Sequence, residues 1–124
     1  PDRARQRQVV EAYFAAAASG DFEALVAVLD PDVVLRADSG GPALTTIRGA
    51  ANVANGALAY RRTGDGRVTV RRVLVNGTVG MVSFRDGVPQ SVVACTVVGD
   101  RIVELDILND ADRLRRLDLS ALAA

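Results

Sequence analysis

The stretch GDFEALVAVLDPDVVLRAD, residues 20–38, decides the fold because two periodicities meet inside it. In its first half, behind Asp21, a residue type that caps helix starts, the apolar residues recur at helical spacing: Leu25, Val26 and Leu29. The Asp30-Pro31 pair ends that pattern, since a residue before proline avoids the helical region. The first half therefore predicts a short helix over residues 22–29.

The second half of the stretch changes to a period of two. From Asp32 onward apolar side chains alternate with positions that turn polar, which is typical of a strand with one buried face. One face carries Val33, Leu35 and Ala37, and the other carries Val34, Arg36 and Asp38. We predict a strand over residues 33–38 that ends in the turn Ser39-Gly40-Gly41-Pro42.

Outward from this stretch, helices alternate with hairpin strands. Helical spacing predicts further helices over residues 2–19, 49–60 and 109–117. Turn signals at Asn76-Gly77, Asp86-Gly87 and Gly99-Asp100 separate strands predicted over residues 68–75, 79–84, 90–98 and 101–108, with a short strand around 44–47. Helices segregated from a mostly antiparallel sheet make an α+β domain. A sheet curled around one long helix would enclose a concave pocket.

The composition bounds the function. The chain has 124 residues, 15 basic and 15 acidic side chains with a net charge of zero, no His, no Lys and one Cys. This length fits one domain of about 100–150 residues, and the neutral balance argues against direct binding of nucleic acid. Without His, and with a lone Cys, we expect no metal site, no cofactor, no histidine triad and no lysine chemistry.

The cysteine usage and the hydropathy pattern bear on the compartment. The single Cys95 gives no disulfide framework and fits a reducing interior. Apolar runs fall short of the ~18 residues that a membrane-spanning helix needs, and no signal segment opens the chain. We therefore expect a cytoplasmic protein without membrane association.

The residues from Gly20 to Val33 also carry a family pattern. The run x-G-D-[FLW]-x-x-L-x-x-L-x-x-D-[VA] is matched nearly throughout, and the order of elements agrees with it. The chain resembles the SnoaL-like, ketosteroid-isomerase-like cone-fold proteins, a nuclear-transport-factor-like class that includes polyketide cyclases, isomerases, epoxide hydrolases and many non-enzymatic binding domains. The resemblance implies a curved, mixed and mostly antiparallel sheet packed on three to four helices.

A narrower resemblance rests on motifs spread along the chain. They are Val33 to Asp38 with Gly40-Gly41, Asn76-Gly77 with Gly80, Arg101 to Asp106, and Asn109 to Leu114. In this combination the chain is similar to the C-terminal SnoaL-like domain of certain extracytoplasmic-function sigma factors. It departs from them twice. The family turn Asp-Gly-Gly-Gly-Lys is here Asp38-Ser39-Gly40-Gly41-Pro42, and the family ending Asn-Pro-Asp-Lys-Leu is one residue longer here, where Arg113 can replace one lysine charge.

The narrower resemblance implies a regulatory role. Residues 1–124 would be a single domain from the C-terminus of a longer sigma factor, which agrees with a first residue that is Pro1 and not Met. In such proteins the domain controls the sigma factor without a separate anti-sigma protein. The implied partners are therefore the promoter-binding helical regions and RNA polymerase. A standalone relative without those regions, a small hydrophobic ligand in the pocket and a homodimer remain open alternatives.

The resemblance also implies an enzymatic alternative: an isomerase, cyclase or epoxide hydrolase. Asp38 would act as general base against the charge of Arg36, and Tyr13 would donate to a developing oxyanion. Asp106 would complete an Asp–Arg–Asp set if its face of the last strand is concave. Plainer interpretations are favoured for two of these residues, with Asp38 capping the glycine turn and Tyr13 packing in the core. The spacing leaves Asp106 undecided.

The turn motifs have two interpretations as well. The resemblance makes them pocket residues or contacts to the sigma-factor body; they are Asp38, Gly40, Gly41, Asn76, Gly77, Gly80, Asn109 and Arg113. The residues alone make Asn76-Gly77 a hairpin turn, and Asn109 a helix cap with Asp112 in the reciprocal position. Cys95 is expected to be a buried, inert thiol.

Overall fold

Ten elements follow one another in the computed structural model, which describes residues 3–40, 45–63, 68–75 and 78–116. The helices are α1 (Arg3–Ser19), α2 (Phe22–Val28), α3 (Ala50–Thr63) and α4 (Ala111–Arg116). The strands are β1 (Leu29–Asp38), β2 (Thr45–Arg48), β3 (Val68–Val75), β4 (Thr78–Arg85), β5 (Val88–Val98) and β6 (Arg101–Leu108). The predicted α+β class and the predicted order of elements are confirmed.

The strands form one six-stranded sheet in the order β2-β1-β6-β5-β4-β3. Neighbouring strands are antiparallel, except that β1 and β6 run parallel. The parallel pair sets the carboxyl ends of β1 and β6 side by side, with Asp38 opposite Leu108. The sheet is therefore mixed and mostly antiparallel, as predicted, and residues far apart in sequence meet at one edge of it.

Alternating side chains give the sheet two different faces. On the inner face α1, α2 and α3 cover a large core, whose fully buried members include Val10, Leu25, Leu29, Val53 and Leu105. On the outer face α4 is joined to the sheet by Leu114, which is 3% exposed and belongs to a smaller cluster with Val82, Phe84 and Val92. Burying side chains of this size contributes about 1.5–3 kcal/mol each.

The stretch that decides the fold changes from helix to strand earlier than predicted. Asp21 caps α2, because its side chain accepts the N–H of Ala24 at 3.1 Å. The helix ends at Val28, and Leu29 is already extended, with φ −99° and ψ 139°. Pro31 then lies exposed within β1, where the register against β6 shifts. Its missing N–H therefore breaks no ladder hydrogen bond there.

The start of α4 corrects a predicted cap. The sequence predicts Asn109 as the cap of this helix, but the backbone N–H of Leu114 donates to the carbonyl of Asp110 at 2.9 Å. The Asp110 side chain accepts the N–H of Asp112 at 3.3 Å. Asp110 is therefore the cap, and the side chain of Asn109 has a different partner.

The Asp86-Gly87 turn is present and has the left-handed backbone that a two-residue hairpin requires. The φ angles are 52° at Asp86 and 82° at Gly87, as in a type I′ turn. Arg85 consequently pairs with Val88, so that β5 begins two residues before the predicted position. The Asn76-Gly77 turn and Gly41 lie outside the described residues.

Candidate functional site

The inner face of the sheet and helix α1 surround an open concavity of about 1090 Å³. Apolar side chains from α1 and from several strands supply much of its wall, among them Phe14, Leu35, Met81, Val93 and Ile107. Strand β1 contributes only the alternate residues Leu35 and Ala37, because successive side chains of a strand point to opposite faces. The curvature of the sheet thus gathers these side chains around one space.

Tyr13 lies on the face of α1 that borders the concavity and is 5% exposed. Its ring meets that of Phe14 edge to face, with the ring centroids 5.2 Å apart. Burial, with a further contribution from Cys95, raises the pKa of Tyr13 well above its ordinary value. The hydroxyl therefore stays protonated at neutral pH. Tyr13 combines core packing with a place in the wall.

Cys95 is 1% exposed and carries a free thiol. Burial, and secondarily the charge of Asp106, raises the pKa of this thiol to about 12. Because the thiolate is the reactive form, Cys95 is inert at neutral pH, as the sequence predicts.

Arg36, Glu104 and Asp106 form an ion-pair group on the outer face. The Arg36 Nε donates to Asp106 Oδ1 at 2.8 Å, and its Nη2 lies 3.2 Å from Glu104 Oε2. The strand register explains the group, since Arg36 lies opposite Asp106 on the parallel neighbour. The hydrogen bonds that Arg36 donates to Asp106, and secondarily to Glu104, raise the pKa of Arg36. Arg36 therefore stays charged.

Asp38 lies on the same outer face, at the carboxyl end of β1. Its Oδ1 accepts the N–H of Gly40 at 3.1 Å, and its Oδ2 pairs with Nη1 of Arg113 on α4. Gly40 has a φ of +91°, and a Cβ on it would lie 2.8 Å from the Oδ1 of Asp110. The turn thus closes tightly on the start of α4. Asp38 caps this turn, as the plainer interpretation has it, and also anchors the helix.

Asn109 joins the turn to the concavity. Its backbone N–H donates to the carbonyl of Asp38 at 2.9 Å, and its Oδ1 accepts the hydroxyl of Ser39 at 2.7 Å. Asn109 also lines the concavity. The residues gathered where β1 and β6 end are called the carboxyl-end cluster below; they are Asp38, Ser39, Gly40, Asn109, Asp110 and Arg113. Two sequence motifs some 70 positions apart are thereby in direct contact.

The three charged candidates for catalysis do not reach the concavity. Arg36, Asp38 and Asp106 are absent from its lining, which takes Leu35, Ala37 and Ile107 from the same two strands. The enzymatic arrangement that the resemblance implies needs Asp38 at the wall, near Tyr13. The alternation of β1 turns Asp38 to the opposite face, so the structure does not bring these two residues together.

Gly80 is buried in β4, opposite Ala94. A Cβ on Gly80 would lie 2.2 Å from the carbonyl oxygen of Val93, a distance that no real Cβ tolerates. The structure therefore gives Gly80 a steric role within the sheet.

The sequence analysis missed Arg85, whose side chain lines the concavity near the end of β4. The alternation of β4 could have found it, because Met81, Ser83 and Arg85 occupy every second position and all three line the same wall. Two other charged lining residues pair with each other, since Arg72 Nη1 donates to Glu11 Oε1 at 2.7 Å.

In the part of the chain that the structure describes, no group of three or more His, Cys, Asp or Glu side chains could hold a metal ion. Nor does any helix of that part have the length and apolar character to cross a membrane.

Among solved structures, the chain is similar to the extracytoplasmic function sigma factor SigJ of Mycobacterium tuberculosis. The two share 26% sequence identity with a TM-score of 0.72, over 93% of this chain. This chain spans 45% of the length of that SigJ chain, so the likeness concerns one part of the sigma factor.

Two other solved structures show the fold alone. An NTF2-like protein from Burkholderia xenovorans LB400 is 20% identical with a TM-score of 0.61, over 93% of this chain and 96% of its own. An LEH-like epoxide hydrolase from M. tuberculosis is 20% identical with a TM-score of 0.59, over 94% of this chain and 90% of its own. The architecture is therefore the curved-sheet cone shared by NTF2-like and SnoaL-like proteins.

A search of curated proteins finds no match. The family model of the SnoaL-like domain matches residues 10–105. That span reaches from α1 to β6 and includes the stretch on which the fold depends. The chain belongs to the SnoaL-like domain family.

Proposed function

We propose that this chain is the regulatory C-terminal domain of an extracytoplasmic-function sigma factor. It modulates transcription initiation by contacting the helical regions of the sigma factor or RNA polymerase, in the cytoplasm. The observation that carries the proposal is the likeness to SigJ, which extends over 93% of this chain but 45% of SigJ. That relation is expected of one domain within a longer protein.

We assign the contact to the carboxyl-end cluster. Arg113 and Asp38 are 56% and 22% exposed, so a partner can reach both members of this ion pair. A guanidinium and a carboxylate held in a fixed geometry suit charge-assisted hydrogen bonds to a polar partner surface. Gly41, Asn76 and Gly77 complete the proposed contact set on the strength of the family motifs, whereas Gly80 is buried within the sheet.

The geometry supports docking better than an enzymatic role for the same residues. A general base must lie within hydrogen-bond reach of the proton that it removes. The carboxylates of Asp38 and Asp106 lie on the face opposite the concavity, away from any molecule held there. Their partners Arg113 and Arg36 instead hold them in ion pairs. The concavity itself is free to take a small apolar ligand.

Transcription by RNA polymerase reconstituted with the full-length product of the gene tests the proposal. We expect removal of residues 1–124 to change initiation several-fold, and the double variant Asp38→Asn, Arg113→Gln to change it in the same direction. Arg48→Gln, at an exposed arginine of β2 outside the cluster, is the matched control and should behave as wild type. A gene product without promoter-binding helical regions, or one whose transcription ignores the removal, would refute the function.

A further inference from the structure

We propose that the concavity binds an amphipathic monocarboxylate, with its apolar body on the inner face of the sheet and its carboxylate on Arg85. The proposal rests on the regulatory function above for its purpose, because the ligand would serve that domain as an effector. The binding itself concerns a different surface from the carboxyl-end cluster, and it can be measured without any partner protein.

The apolar part of the wall favours a ligand with a hydrocarbon or aromatic body. The volume of about 1090 Å³ is at the upper end of typical ligand pockets, which hold about 300–1,000 Å³. Val70 lines this space and is 50% exposed, although it is a large apolar residue. Met81 and Val93 are only half-buried there. A ligand that covers such side chains gains roughly 25 cal/mol for each Å² of apolar surface removed from water.

The polar part of the wall lies at the turn end of the β4–β5 hairpin. Ser83 and Ser91 face each other across the two strands, with their hydroxyl oxygens 2.7 Å apart. Gln90 and Arg85 line the wall beside them. This end of the hairpin thus gathers four polar lining side chains, whereas the other charged or amide lining residues, Glu11, Arg71, Arg72 and Asn109, lie on other elements. A local polar group beside apolar side chains matches a ligand with one polar end.

The charges of the lining residues determine which polar group of a ligand fits the concavity. The charged residues among the described lining residues are three arginines and one glutamate: Arg71, Arg72, Arg85 and Glu11. Glu11 is already paired with Arg72. The guanidinium of Arg85 is half-buried, and no hydrogen bond or ion pair joins it to any other described residue.

A half-buried guanidinium gains most from a carboxylate, whose two oxygens match its planar fork. In a mostly apolar wall the guanidinium of Arg85 favours a ligand with one negative charge over a ligand with two, since a second charge would be desolvated without a partner. The ligand class is therefore a carboxylic acid anion with an apolar body, and not a phosphate ester.

Calorimetric titration with decanoate and with its neutral counterpart decanol tests the proposal. A charge-assisted hydrogen bond contributes about 1.5–3 kcal/mol, so we expect decanoate to bind the wild-type chain at least about tenfold more tightly than decanol. Arg85→Gln should abolish this preference while retaining the binding of decanol. Arg48→Gln removes an exposed arginine outside the lining and should leave the preference unchanged.

A second variant locates the binding. Val70→Asp puts a negative charge into the concavity at a half-exposed position, where folding tolerates it. It should weaken the binding of both ligands, and of decanoate more strongly. Equal binding of decanoate and decanol to wild type, a preference that survives Arg85→Gln, or no binding of either ligand would each overturn the proposal. The titration contains no sigma factor, so its outcome and that of the transcription experiment are independent.

Discussion

At the scale of single residues, the alternation of side chains along β1 determines on which face of the sheet each residue lies. Leu35 and Ala37 line the concavity, whereas Arg36 and Asp38 lie on the outer face, where each holds an oppositely charged partner. The carboxylate of Asp38, which forms an ion pair with Arg113 of α4, is suited to recognition by a partner protein. It is poorly suited to removing a proton from a molecule on the other side of the sheet.

Arg36→Gln should destabilise the fold modestly, because ion pairs at exposed positions contribute little to stability. Without the guanidinium, Glu104 and Asp106 are two neighbouring negative charges that lack their shared positive partner. The three side chains are 36%, 42% and 47% exposed, so solvent and salt limit the effect. Urea denaturation at low and at high salt measures it, with Arg48→Gln as control. A loss of the same size at both salt concentrations would contradict the electrostatic origin.

From the burial of the Cys95 thiol we predict that the fold loses stability at alkaline pH. Its pKa is raised from 9.0 to about 12 by folding, so the unfolded chain loses the proton first. The stability that the buried, protonated thiol contributes is complete below pH 9. It is lost as pH rises towards 12, by up to about 1.4 kcal/mol per pH unit. The raised pKa of Tyr13 acts in the same direction at higher pH.

Urea denaturation at pH 8, 9 and 10 measures this decline. Cys95→Ala, although less stable at pH 8, should decline less steeply between pH 9 and pH 10. Rapid reaction of the native thiol with a thiol reagent at pH 8 would contradict the burial on which the prediction depends.

At the scale of elements, periodicity was sufficient to predict what is local. The helix behind Asp21, the two faces of β1 and the hairpin at Asp86-Gly87 all depend on neighbouring residues, and all are present. Boundaries were less predictable wherever a distant contact decides them. The cap of α4 is Asp110 and not the predicted Asn109, because the side chain of Asn109 instead accepts a hydrogen bond from Ser39, far away in sequence.

Gly80→Ala should destabilise the β4–β5 pair by about 1–3 kcal/mol, the usual cost of overpacking. The added methyl group would meet the backbone carbonyl of Val93, which cannot rotate out of the way as a side chain can. Gly56→Ala is the matched control, because the new Cβ would meet only the side chain of Ile47, at an ordinary 3.5 Å. Thermal denaturation compares the two. A Gly80→Ala variant as stable as the Gly56→Ala variant would contradict the close approach.

Leu114→Ala should cost about 2–5 kcal/mol of packing and release α4 from the sheet. Leu114 is 3% exposed and packs with Val82, Phe84 and Val92, and this six-residue helix is too short to be stable alone. Release would separate Arg113 from Asp38. Hydrogen exchange of residues 111–116 measures it, and the variant should also reproduce the transcriptional effect of Asp38→Asn with Arg113→Gln. An α4 with unchanged protection would show that Leu114 does not hold it.

At the scale of the whole molecule, the sheet separates two surfaces. The inner face offers a mostly apolar concavity with Arg85 in its wall, and the outer edge offers the carboxyl-end cluster, with Asn109 in contact with both. The family motifs allowed the residues of the cluster to be named from the sequence. Their contact could not be derived from it, because only the parallel pairing of β1 with β6 brings Asp38 next to Asn109. Arg85 carries no motif, and the signal for it in the sequence is its place two positions after Ser83 and four after Met81 on β4.

Hydrogen–deuterium exchange on the full-length gene product, compared with the 124-residue chain alone, tests the central claim most directly. If the carboxyl-end cluster docks onto the sigma-factor body, the amides of residues 38–40 and 109–116 should exchange more slowly in the full-length protein. The amides of residues 97–102, at the opposite end of β6 from the cluster, should exchange equally in both. Identical exchange at the cluster in the two proteins would contradict the account.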